Sequence, residues 1–363
     1  MEFDGVVDKT RSTLVPLRNL IEAAGGWLSF ERFMDAALYG AETGYYTRNI
    51  REIGRRGDFT TSAEAGSLLA EAVGAWADKQ RKRIQRNGER RWHLIEIGGG
   101  NGAIAHKILE SRSWLARLTL QYHIVEISPS LIEIQRRRLG RYKIEWHTSI
   151  ETAIEAAEGH AIIFSNEVVD AFPCVRLEWR NNAWHEIGLV WENNRPVEQL
   201  RPLSPERIAA LDSSATKITV PEGKTQRIEA HPAWRDQLQT IFRELEAGIL
   251  LTIDYGDNFP AVYYRQPAGT LRGYYHHVKI DGSELYTHAG HQDLTADVNF
   301  TDIRNWGMQI GFVEESFDTQ RDFILHWTRN IDTTHTANAR LLDPIGAGVA
   351  FKVLAQSKNP GLI

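Results

Sequence analysis

Apolar residues near the start of the chain recur at helical spacing: Leu17, Leu20, Ile21 and Ala24, then Phe30, Phe33, Met34, Ala37 and Leu38. Repeats at three and four residues give each helix one apolar stripe. Ser29 is the expected N-cap of the second helix, which Gly40 and Gly44 end. Residues 45–63, rich in Gly, Arg and Thr, read as loop. Another helix is expected from Ser62-Ala63-Glu64 through Leu68, Leu69, Ala72, Val73, Trp76 and Ala77, up to a charged turn at Lys79–Arg91.

From Trp92 the period changes. Short apolar runs alternate with helical segments: Leu94–Ile97, His123–Glu126, Lys143–Trp146 and Ala161–Ser165 read as strands, with helices at Ala103–Leu109 and Pro129–Leu139 between them. This alternation predicts an α/β fold with a parallel sheet covered on both faces. It pauses at 174–192, which reads as a hairpin turning at Asn181-Asn182, and in a Pro-punctuated stretch up to about 230. A helix at Pro232–Leu245 and a strand at Gly248–Asp254 resume it. Residues 309–317 and 348–356 read as two closing strands, which makes the sheet mixed. The expected organisation is therefore a helical N-terminal extension (1–90) contributing to a cleft, a Rossmann-like half (91–175), an insertion on the substrate side (176–230, hairpin plus helix), and the rest of the sheet (231–363) with an active-site loop at 255–300.

Composition narrows the function. One cysteine, Cys174, excludes an intrachain disulfide and a cysteine-based metal centre. The net charge is −5, from 42 basic and 47 acidic residues, which disfavours nucleic acid as a partner. The first residues, Met1-Glu2-Phe3-Asp4-Gly5, lack a basic or apolar leader pattern, and no run of about 18 apolar residues predicts a membrane span. The expected setting is thus the cytoplasm, with no membrane partner. The insertion is a candidate homodimer surface.

The strongest chemical signal is Glu96-Ile97-Gly98-Gly99-Gly100-Asn101-Gly102, set between a strand and a helix. Gly98, Gly100 and Gly102 let backbone approach a ligand closely, and the helix start offers free N–H groups. Glu126, closing the next strand, is placed to accept hydrogen bonds from both ribose hydroxyls. The spacing also satisfies the dinucleotide pattern G-x-G-x-x-A, and a plain turn that binds nothing has the same glycines. Glu96, two residues before the first glycine, favours S-adenosylmethionine (SAM): an acid suits its ammonium and sulfonium and sits poorly beside a pyrophosphate. Ile127, Ser149 and Ile150 follow the second and third strands and are further candidates for holding this cofactor. At the end of the fourth strand, Asn166, Glu167 and Asp170 face the same crevice. Asn166 is assigned to the cofactor, and Glu167 and Asp170 to orienting a nucleophile or taking its proton. These groups equally suit the cap of a short helix. Asp254-Tyr255 closes the fifth strand beside the substrate, or forms a simple turn.

The histidine pairs His276-His277 and His288-x-x-His291 lack the acidic signature of a metal site, and no metal is expected. Arg51, Arg55 and Arg56 flank glycines and could grip an anion. Arg136–Arg138 read as a solvated face, and Trp179, Trp184 and Trp191 as packing within the insertion.

Taken together, several segments resemble the MidA-type methyltransferases, which include the mitochondrial complex I assembly methyltransferase and bacterial relatives. They are Gly44-Tyr45-Tyr46, Gly57-Asp58-Phe59-Thr60-Thr61-Ser62, Glu96–Gly102, His123–Pro129, Asn166-Glu167 to Pro173, Ile253–Gly256, Gly269–Arg272 and Gln292–Val298. The resemblance implies a class I methyltransferase fold that uses SAM and releases S-adenosylhomocysteine. It implies catalytic carboxylates among Asp58, Glu167 and Asp170, cofactor contacts from Thr61 and Ser62, and substrate contacts from Tyr45, Asp254, Tyr255, Gln292 and Asp293. It suggests protein arginine as acceptor. Where the family has Gly-Pro-Gly-Arg-Gly, this chain has Gly98-Gly99-Gly100-Asn101-Gly102, which leaves room for a peptide or small-molecule acceptor. A nicotinamide-dependent oxidoreductase and a non-catalytic assembly factor with a SAM pocket are the competing functions.

Overall fold

A computed structural model describes residues 15–50, 67–85, 89–276, 278–329, 331 and 336–360. Among the described residues, seven strands form the main path of the central sheet, β1 (Trp92–Ile97), β2 (Leu120–Val125), β3 (Ile144–His147), β4 (His160–Asn166), β5 (Ala247–Asp257), β6 (Val313–Thr319) and β7 (Phe351–Lys358), and the short strand Val298–Asn299 pairs with the end of β5 as an eighth. Their order across the sheet is β3-β2-β1-β4-β5-β7-β6. Strands β1 to β5 are parallel, and β7 runs against both neighbours. The mixed α/β architecture is the one the sequence predicts.

Both faces of the sheet are covered, so alternate residues of one strand enter different cores. Leu94 joins Trp76, Ile108 and Phe164 on one face. Ile95 and Ile97 join Ile163, Trp234 and Trp306 on the other. The chain leaves β1 for β2 on one side and returns as β4 on the other. That reversal opens a crevice at the carboxyl ends of β1 and β4, where ligands bind in sheets of this kind.

The local signals explain the helices. Ser29 Oγ accepts from the Arg32 N–H at the head of helix Phe30–Tyr39, and Gly40 ends it. Ser128 caps helix Pro129–Leu139, with Pro129 where its missing N–H costs nothing. The expected charged turn after Ala77 is corrected: Lys79–Arg83 lie in helix Leu68–Ile84, whose apolar stripe extends to Ile84. Basic side chains there face the negative end of the helix dipole. Residues 309–310 likewise close helix Phe300–Ile310 rather than opening β6.

The insertion is more than a hairpin. Val175–Arg180, Ala183–Glu192 and Arg195–Pro202 form an antiparallel meander, flanked by Gln226–Ala230 and by Leu28–Ser29 from the N-terminal region. Asn181-Asn182 and Asn193-Asn194 both turn with φ between 50° and 61°, as two-residue hairpins require. Trp179 and Trp184 pack edge to face at 5.3 Å. A small sheet of Arg272–Tyr275, Val278–Ile280 and Asp293–Thr295 fills the segment after β5. Among the described residues, no helix is long and apolar enough to cross a membrane.

Candidate active site

A cleft of about 670 Å³ opens at the reversal point. Its floor is the turn after β1. Gly98, Gly100 and Gly102 have φ of 70°, 52° and 78°, which side chains other than glycine rarely adopt. At Gly98 space is limiting too, since a Cβ would lie 2.7 Å from Val168 Cγ2. Gly98 and Gly100 line the cleft, while Gly102 begins helix Ala103–Glu110 behind it.

Glu126 lines the next part of the wall. Its carboxyl accepts from the Ser128 N–H at 3.0 Å and from Gln135 Nε2 at 3.1 Å. Gln135 also donates to the Gly100 carbonyl at 2.8 Å, and its Oε1 accepts from Trp146 Nε1 at 2.9 Å. Gln135 and Trp146 therefore fix the orientation of Glu126 relative to the glycine turn. The sequence reading missed both, because neither belongs to a motif. Burial pushes the Glu126 carboxyl up to about 7 against these donors. Ile127, exposed at the mouth, Ser149 and Ile150 continue the wall. Ser149 is held as the cap of helix Ile150–Ala156 by the Thr152 N–H.

Glu96 is placed differently from the expectation. Alternation along β1 sends Ile97 to the cleft and Glu96 to the opposite face. There it is buried and accepts from Tyr122 Oη at 2.8 Å. Burial raises its carboxyl to about 8.

Asn166, Glu167 and Asp170 meet at the far wall. Asn166 Nδ2 donates to Glu167 Oε1 at 3.1 Å, while Asn166 Oδ1 is buried without a partner. Glu167 has φ 53°, a strained backbone for this residue type. Asp254 anchors it. Its Oδ2 accepts from the N–H groups of Val168, Val169 and Asp170 at 3.1, 2.8 and 3.3 Å, and its Oδ1 accepts from Tyr255 N. Asp254 is fully buried and does not line the cleft, so it positions the wall rather than touching a substrate. Burial, followed by the charges of Asp254, Asp293 and Glu167, raises the Asp170 carboxyl well above the carboxylate range, and Arg272 opposes this.

Asp293 faces the cleft and accepts from Tyr46 Oη at 2.7 Å. Tyr255 and Tyr274 also line it, as does Tyr39, whose ring stacks on Tyr46 at 5.6 Å. Two expected substrate residues are corrected. Tyr45 is buried in the core with its edge against Tyr46, so the second tyrosine of the pair reaches the cleft. Gln292 is buried, with Nε2 donating to the Leu285 carbonyl, while its neighbour Asp293 faces the cleft. No lining residue comes from 176–230; beyond the glycine turn the wall includes residues from the N-terminal region, the end of β5 and the small sheet. Asp58, Thr61, Ser62, Arg51, Arg55, Arg56 and His277 lie outside the described residues.

The strand order and the glycine turn define a class I SAM-dependent methyltransferase fold. Residues 71–316 match the model of the family described as "Putative S-adenosyl-L-methionine-dependent methyltransferase", and the chain belongs to that family. It is 24% identical to the mitochondrial protein arginine methyltransferase NDUFAF7 of Xenopus laevis, over 77% of this chain and 66% of that protein. It is also 24% identical to the mitochondrial NDUFAF7 homologue of Drosophila melanogaster, over 93% and 83%. The chain thus spans about two thirds of the first relative's length. A Burkholderia thailandensis structure bound to S-adenosyl-homocysteine is 26% identical with a TM-score of 0.83, covering 99% of this chain and 95% of that one. The oxidoreductase reading falls with these matches. So does the expected cytoplasmic setting, because the named relatives are mitochondrial proteins.

The residues present fit the cofactor. The glycine floor admits close backbone approach, the orphaned Asn166 Oδ1 awaits a donor, and Glu126 lines the same cleft, tied to the Gly100 carbonyl through Gln135. Glu126→Gln is expected to weaken S-adenosylhomocysteine binding by about 10-fold or more, since hydrogen bonds to charged groups contribute roughly 1.5–3 kcal/mol. Calorimetric titration measures this, and unchanged affinity would remove Glu126 from the cofactor site.

Proposed function

We propose that the chain transfers a methyl group from SAM to a guanidino nitrogen of a protein arginine. One observation carries this reading: beyond the glycine floor, Glu167, Asp170 and Asp293 share a cleft wall with Tyr46, Tyr255 and Tyr274. Acids and aromatic faces together match a planar cation, the acids through paired hydrogen bonds and the rings through cation–π contact. The relatives named as protein arginine methyltransferases support the same acceptor.

Bound SAM supplies an electrophilic methyl group on a sulfonium. The chain's residues position the acceptor for in-line attack, where orientation alone is worth roughly 7–11 kcal/mol. Glu167 and Asp293 hold the guanidinium. Asp170 takes the proton released as the N–C bond forms, and the S–C electron pair stays on sulfur.

Asp170 acts as a base only when ionised, and its raised affinity for protons shifts that ionisation upward. Turnover is therefore expected to rise with pH along a limb well above the ordinary carboxylate range. A pH–rate profile tests this; a limb near pH 4 (the ordinary aspartate range) would contradict it. The acceptor class is tested by incubating labelled SAM with extract and separating protein from small molecules. Label in the protein pool supports the proposal. Label confined to small molecules, or tight cofactor binding with no transfer, overturns it.

A further inference from the structure

The sequence directs attention to the histidines at 276–291, yet the sheet assembles a different group. Among the described residues, one set of three His, Cys, Asp or Glu side chains converges with ligand atoms all within 4.8 Å: His123, Glu145 and His147. His123 on β2 is in register with Glu145 on β3, and His147 follows two residues later. The three side chains therefore leave the sheet on one face. None of them lines the cleft.

We propose that His123, Glu145 and His147 bind a divalent cation of the zinc class, with His93 as the outer partner that orients His123. His123 Nδ1 lies 3.0 Å from His147 Nε2 and 3.8 Å from Glu145 Oε2. Ligand atoms around a tetrahedral zinc, with bonds near 2.0–2.1 Å, are separated by about 3.3 Å. Adjustments of about half an ångström convert the one arrangement into the other. The second ring nitrogen of His123, Nε2, lies 3.0 Å from His93 Nδ1. With the cation on Nδ1, the ring proton sits on Nε2 and points at His93, the second-shell bond that metal-bound imidazoles make.

The setting agrees: His123 is buried, and an imidazole binds a cation through the lone pair of a neutral ring. Glu145 brings negative charge, and its side chain is 46% exposed, so ions can enter and water can fill the remaining position. Imidazole and carboxylate donors suit zinc, and the Irving–Williams order also admits nickel and copper. The site adjoins the cofactor wall: the His147 carbonyl accepts from the Glu126 N–H at 2.9 Å, and Thr148, Ser149 and Ile150 follow in sequence. A cation here would clamp the end of β3 beneath that wall.

The test is equilibration of the metal-stripped full chain with zinc chloride, gel filtration and elemental analysis, with cobalt(II) absorption as a second readout. Wild-type protein should retain zinc at one ion per chain and give a tetrahedral cobalt spectrum. Glu145→Gln should weaken binding about 10-fold and His147→Ala about 100-fold or more, while His288→Ala leaves it unchanged. Glu145 is solvent-facing, so its variant decides the matter should His147→Ala fail to fold. No retained zinc, or binding that Glu145→Gln leaves intact, overturns the proposal.

Discussion

Glu167→Gln and Asp170→Asn should each lower turnover by about 10²–10⁴-fold, the usual worth of a positioned proton acceptor or orienting carboxylate. S-adenosylhomocysteine affinity should stay within about 3-fold of wild type (roughly 0.7 kcal/mol, half of the 1.4 that makes a factor of ten). The split is expected because both carboxyls line the cleft on the segment after β4, whereas Glu126 follows β2, with β1 between them in the sheet. Glu167→Gln keeps an oxygen within reach of Asn166 Nδ2, so the strained turn keeps its hydrogen bond. Asp170→Asn keeps the shape but removes the group whose ionisation sets the acid limb of the pH profile. The limb should therefore disappear in that variant. Near-wild-type turnover in both variants would end the catalytic assignment. Equal loss of cofactor affinity and turnover would make the wall a cofactor site instead.

Asp254→Ala, behind the cleft wall, should be the most destabilising single change among the residues that build the site. It removes the acceptor for four backbone N–H groups, at Val168, Val169, Asp170 and Tyr255, in a fully buried setting. An unsatisfied buried donor costs about 1–3 kcal/mol, and turn relaxation recovers part of the sum, so a loss of roughly 3 kcal/mol or more is expected. The strain at Glu167 would relax too, and turnover should collapse with stability. Denaturant titration measures the first effect and steady-state kinetics the second. Asp254→Asn, which keeps one acceptor oxygen, should fall between. Wild-type stability in Asp254→Ala would show that the turn holds itself.

The middle of the sheet was legible because strands such as β1 and β4 are short apolar runs beside Gly98 and Gly159, and several helices because serine caps and periodic stripes coincide. The glycine turn and the acids after β4 stood out as polar groups at strand ends. What escaped was set by tertiary contacts. Which of Tyr45 and Tyr46 faces the cleft depends on packing against Asp293, and Gln292 and Asp293 differ only by the alternation of a short strand. Asp254 looks like a substrate ligand in sequence, but three successive amides of another segment occupy it. Glu96 has the right spacing for an ammonium and the wrong side of the strand. The second hairpin turn, Asn193-Asn194, carried the same signal as Asn181-Asn182. His93, His123 and His147 are 24 to 30 residues apart, and only parallel strand pairing aligns them.

The central claim is that this cleft methylates a guanidinium. The most direct measurement incubates the chain with methyl-labelled SAM and paired peptides that differ only by arginine or lysine, followed by acid hydrolysis and mass spectrometry of the amino acids. Label on methylarginine from the arginine peptide, abolished by Asp170→Asn, is the expected result. Label on lysine, or none on arginine while the chain methylates another class of molecule, would contradict the claim.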